Sequence, residues 1–69
     1  MKLSTRNQLS GTVTAVTTGE AMAVVKIRLD GGAEITSSIT KEASDDLGLV
    51  PGSKVIALIK STEVALAVE

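Results

Sequence analysis

The amino-acid sequence predicts an all-β domain: a small five-stranded Greek-key barrel with one short helix between strands three and four. Three observations carry that expectation. Apolar residues recur with period two along most of the chain, and turn signals at Gly19, Asp30-Gly31-Gly32 and Pro51-Gly52 cut the alternation into short segments. Only one stretch, Thr40 to Gly48, reads as a helix with its own start and stop.

Strand one spans Leu9 to Val16, with Leu9, Gly11, Val13 and Ala15 on one face and Ser10, Thr12, Thr14 and Val16 on the other. Thr17-Thr18-Gly19-Glu20 supplies a turn in which Gly19 can take positive φ. Strand two follows, with Ala21, Ala23, Val25, Ile27 and Leu29 sharing one face and Met22, Val24, Lys26 and Arg28 the other. Asp30-Gly31-Gly32 is the strongest hairpin signal, because primed turns need positive φ. Strand three runs from Ala33 to Ile39, with Ile35, Ser37 and Ile39 on one side.

Thr40 can cap a helix through Leu47, and Gly48 stops it. Asp45 and Asp46 sit near the end where the dipole disfavours negative charge, so packing of Leu47 and Leu49 is expected to hold the helix. Strand four, Lys54 to Ile59, is apolar on both faces, which predicts cover on two sides and, in so short a chain, a second subunit. A fifth strand places Val64, Leu66 and Val68 on one face. This order suits a barrel of the OB type, read as a single domain over residues 1–69.

Composition prunes the functions. A chain of 69 residues buries only about 60% of the surface its unfolded form exposes, and it has no Cys, His, Phe, Tyr or Trp to compensate. Disulfides and the usual zinc ligands are excluded, which leaves oligomerisation as the source of extra stability. Without His or Cys, the commonest general base and the strongest neutral-pH nucleophile are missing, so an enzyme is not expected. A net charge of -1 offers no basic field for nucleic acid. Met1-Lys2-Leu3 leads into polar residues rather than a signal-peptide core, no segment approaches a membrane span, and a soluble cytoplasmic protein is expected.

Donor-rich residues gather near each end, in Ser4-Thr5-Arg6-Asn7-Gln8 and in Lys60-Ser61-Thr62. Neither Ser4-Thr5-Arg6 nor Lys60-Ser61-Thr62 contains a carboxylate, so their meeting would make an oxyanion pocket. On composition alone, Arg6 and Lys60 read as solvated strand-end charges, Lys60 as an edge guard, and the hydroxyls as turn residues. Lys26 and Arg28 read as a solvated face or as salt-bridge partners between subunits, and Met22 and Val24 as packing residues.

Three fragments taken together resemble the molbindins, stand-alone copies of the TOBE or Mop domain. They are Ser4-Thr5-Arg6-Asn7-Gln8-Leu9-x-Gly11-x-Val13, then Ile39-Thr40 before Leu47-Gly48-Leu49-x-x-Gly52, and Ile59-Lys60-Ser61-Thr62-x-Val64. The resemblance implies a cytoplasmic protein that binds molybdate or tungstate without an organic cofactor, as a homohexamer described as a trimer of dimers. It also implies sites between subunits, with Ser4, Thr5 and Arg6 from one copy and Thr40, Lys60 and Ser61 from its neighbour. Where relatives carry a serine three residues after the threonine, this chain has Ala43, and Ser44 is the candidate substitute.

The chemistry agrees with that implication. Molybdate is a tetrahedral dianion with four acceptor oxygens, so it calls for cations, hydroxyls and free N–H groups such as those behind Thr40. A donor-only site penalises protonated phosphate, which needs an acceptor, whereas nothing in these residues separates tungstate from molybdate. The rival expectation, an OB-type nucleic-acid or protein-interaction module, calls for a basic or aromatic strand surface that the sequence lacks.

Overall fold

The computed structural model describes residues 1–69 as four strands and a short helix. Strands β1 (Asn7–Thr18), β2 (Met22–Leu29) and β3 (Glu34–Thr40) form a meander, helix α1 (Lys41–Leu47) follows, and β4 (Lys54–Ile59) returns to the free side of β1. All pairings are antiparallel and the sheet order is β3-β2-β1-β4, the Greek-key order. The sheet curls, but β3 and β4 do not pair, so a single chain leaves the barrel open along those two edges.

Strand β1 serves two partners. It pairs with β4 over Asn7–Thr12 and with β2 over Gly11–Thr18, so only Gly11 and Thr12 are shared. Just beyond them the register slips between Val13 and Ala15, leaving Thr14 as the extra residue of a β-bulge. The bulge reverses the alternation: Ala15 lies opposite Lys26 on the outer face, and Val16 lies opposite Val25 on the inner face. The strict period-two assignment of those two residues is therefore corrected. Val16 on an otherwise polar row was the signal of the slip.

The core is small. Val13, Val25 and Ile27 are buried together, with Val16, Leu29, Ile35, Ile39, Leu49 and Val55 half-buried around them. Gly11 is demanded by the close approach of β1 and β2, since a Cβ there would lie 2.7 Å from the Arg28 carbonyl oxygen and 2.9 Å from Ile27 Cγ2. The Pro51-Gly52 turn docks on the same strand: the Gly52 N–H donates to the Val13 carbonyl at 2.8 Å, and the Val13 N–H donates to the Ser53 carbonyl at 2.9 Å.

Local signals were met with three exceptions. Gly52 takes φ +97° as a turn glycine should, but in the β2–β3 hairpin only Gly32 has positive φ, at +100°, so Asp30-Gly31 does not make the expected primed turn, and Gly19 turns without positive φ. Thr40 caps α1, its Oγ1 accepting the Ala43 N–H at 3.1 Å, and Gly48 closes the helix at φ +62°. Leu49 packs on the core as expected, whereas Leu47 is 70% exposed and holds nothing. Helix α1 lies against β2 and β3, with Ser44 its one buried residue, and carries a surface ion pair between Lys41 and Asp45 at 2.9 Å.

The fifth strand is the main correction. After Ile59 the chain enters a 3-10 turn over Ser61–Glu63, with the Glu63 N–H donating to the Lys60 carbonyl at 2.9 Å. That turn diverts the chain from β4 before a hairpin can form, so Val64–Glu69 meets no edge. Leu66 and Val68 are 92% and 98% exposed. Alternation is necessary for a strand, but a ladder also needs a partner. On the outer face of β4, Ile56 and Leu58 are likewise uncovered, as are Met22 and Val24 on β2, so the expected packing of those residues is not supplied within one chain.

Candidate oxyanion groove

The β1–β4 ladder decides what happens at the chain ends. Its last pair is Asn7 with Ile59. Arg6 and Lys60 are the next residues outward on each strand, so antiparallel pairing forces them to leave the sheet side by side. The result is a groove of about 380 Å³ lined by Ser4, Thr5, Arg6, Lys60, Ser61 and Thr62, with no hydrophobic residue and no carboxylate. Both donor clusters predicted from the sequence are therefore brought together. Thr62, part of the second donor cluster but not of the contacts that the resemblance implies, is the sixth lining residue.

The groove is electrostatically uncompensated. The one ion pair of the chain is Lys41 with Asp45, so neither Arg6 nor Lys60 has a carboxylate within 4.0 Å. Two cations and four hydroxyl residues around one space present donors that a multiply charged anion can accept from.

Thr40 is elsewhere. It pairs with Met22 at the far end of the meander, beside the end of β1 opposite to Arg6. Its surroundings are also different, because the depression it lines contains Glu20, Glu42, Asp45 and Asp46, with Lys41 the only cation. Within one chain those four carboxylates repel a dianion. The Thr40 oxygen already accepts from Ala43, which leaves its hydroxyl proton free to donate. Ser44 is 3% exposed, so a single chain does not offer it to solvent. The structure thus groups Lys60 and Ser61 with Ser4, Thr5 and Arg6 of the same chain and leaves Thr40 and Ser44 apart.

The fold and this rim define a small all-β domain, a curled antiparallel sheet with one short helix and a donor-rich, carboxylate-free groove at one end. The TOBE domain family model matches residues 3–66, and the chain belongs to that family, in its molbindin branch. It is 42% identical to molybdenum-pterin-binding protein 3 of Clostridium pasteurianum over 96% of this chain and 97% of that one. It is also 45% identical to the molybdenum transport protein ModE of Azotobacter vinelandii, of which it spans only 26%. Among solved structures, a molybdate-binding protein from Sporomusa ovata matches with a TM-score of 0.91 and 42% identity, covering 97% of this chain and 98% of that one. The cytoplasmic molybdate-binding protein ModG, solved with molybdate bound, matches with a TM-score of 0.95 and 49% identity over the whole of this chain and 49% of that chain.

Proposed function

We propose that this protein binds molybdate or tungstate and performs no chemistry on it, holding the anion for intracellular storage or buffering. The observation that carries the reading is the meeting of Ser4, Thr5 and Arg6 with Lys60, Ser61 and Thr62 around one carboxylate-free groove. Charge-assisted hydrogen bonds contribute roughly 1.5–3 kcal/mol each, so a handful offsets the ordering cost and reaches micromolar affinity. Relatives and structural neighbours named for molybdate or molybdenum support the choice of anion, and the description of ModG as cytoplasmic supports the compartment. No helix of the chain is long and apolar enough to cross a membrane.

The working unit in this reading is a homo-oligomer, a hexamer built as a trimer of dimers, with anions at the seams. Three features favour association: the open edges of β3 and β4, the uncovered Ile56 and Leu58, and the unpaired alternation of Val64, Leu66 and Val68. A neighbouring copy is also the only route by which Thr40 can join the groove, since its own chain keeps it at the opposite end of β1. Equilibrium dialysis of the purified protein tests the function. Molybdate is retained and sulfate and phosphate are not; equal behaviour of all three anions would rule the reading out.

A further inference from the structure

Two side-chain amides beside the groove are not among the residues that line it, yet they tie down both of its walls. Asn7 Nδ2 donates to the Ile59 carbonyl at 3.0 Å, and Gln8 Nε2 donates to the Thr5 carbonyl at 3.0 Å. Because the peptide unit is planar, each bond reaches one residue further. The Ile59 carbonyl belongs to the same rigid plane as the Lys60 N–H, and the Thr5 carbonyl to the same plane as the Arg6 N–H. One amide therefore fixes the peptide from which Lys60 departs, and the other fixes the peptide from which Arg6 departs.

These ties matter because both cations lie beyond the sheet. The ladder ends at Asn7 and Ile59, so neither Arg6 nor Lys60 has a cross-strand partner to hold it. Consecutive strand residues point to opposite faces, which lets Asn7 reach across to β4 while Gln8 folds back onto its own segment. A long cationic side chain that starts from a fixed peptide loses less freedom when it closes on a ligand.

We propose that Asn7 and Gln8 are positioning residues for the oxyanion groove, holding in place the Lys60 and Arg6 backbones from which its two cations depart. The inference rests on the molybdate reading above. Its test is isothermal titration of sodium molybdate into the full chain carrying Asn7→Leu or Gln8→Met, changes that keep approximate size and remove the donor. Anion-free melting temperature and oligomeric state are measured alongside. The expected result is a dissociation constant raised roughly three- to tenfold in each variant, with the anion-free melt and assembly as in the wild type.

Wild-type affinity in both variants overturns the proposal, and so does an affinity loss matched by an equal loss of anion-free stability, which is what a merely structural bond would give. Should Asn7→Leu fail to fold, Gln8→Met carries the test, since Gln8 is exposed and its bond spans only three residues. A wild-type protein that retains no molybdate removes the functional reading and this inference together; wild-type binding with unaffected variants removes this inference alone.

Discussion

Asn7 and Ile59, separated by 52 positions in the chain, face each other as the last pair of the β1–β4 ladder and share a 3.0 Å bond from side-chain amide to carbonyl. The candidate groove follows from that pairing, because it delivers Arg6 and Lys60 to the same end of the sheet.

Arg6→Ala and Lys60→Ala are each expected to weaken molybdate binding by roughly ten- to hundredfold, the loss of one charge-assisted contact or more. Both residues lie outside the core, so the anion-free melt should hardly move. Titration calorimetry paired with thermal melts checks both halves, and unchanged affinity in the two variants would remove the assigned groove.

Thr40→Val removes the oxygen that accepts the Ala43 N–H and should cost about 1 kcal/mol of stability, visible as a lower denaturation midpoint. If a second copy brings Thr40 to the anion, affinity drops as well. A stability loss with wild-type affinity assigns Thr40 to helix capping alone.

Gly11→Ala inserts a methyl group where 2.7 Å separates the ideal Cβ from a backbone oxygen. Backbone cannot swing aside as a side chain can, so a loss of roughly 1–3 kcal/mol is expected from overpacking. Chemical denaturation reads it directly. A variant as stable as the wild type would mean that β1 and β2 part at little cost.

On the proposed reading, melting temperature is expected to rise with protein concentration and again with added molybdate, because a partner copy or a ligand that binds only the folded state stabilises it. Scans over a hundredfold range of protein concentration provide the measurement. A monomer in sedimentation whose melt ignores concentration contradicts the oligomeric reading.

Much of the local chemistry was legible in the sequence, though not the φ of Gly19 or the exposure of Leu47. Lys54–Ile59 and Lys41–Leu47 could be read to their ends, the helix because Thr40 and Gly48 mark its limits. Features that depend on distant partners were not. The bulge at Thr14 is set by how β2 and the Pro51-Gly52 turn grip β1, and it appeared in the sequence only as Val16 falling on the wrong row. The Val64–Val68 alternation looked like a strand because periodicity reports the shape a segment can take and not whether an edge awaits it. At the groove, residue types pointed to an oxyanion, but the grouping of Lys60 with Arg6 in one chain depended on strand register, which composition does not encode.

The narrow overlap at Gly11 and Thr12, where β1 changes partners, divides the molecule into two zones of unequal persistence. Val13, Val25 and Ile27 anchor the meander, while Asn7–Ser10 and β4 hold one another with little buried behind them. Deuterium labelling should therefore find the amides of β4 and the first third of β1 exchanging through a partial opening that leaves the meander closed. An anion bridging Arg6 to Lys60 would act as a latch on that flap, so occupancy would be written first in the exchange rates of residues it never touches.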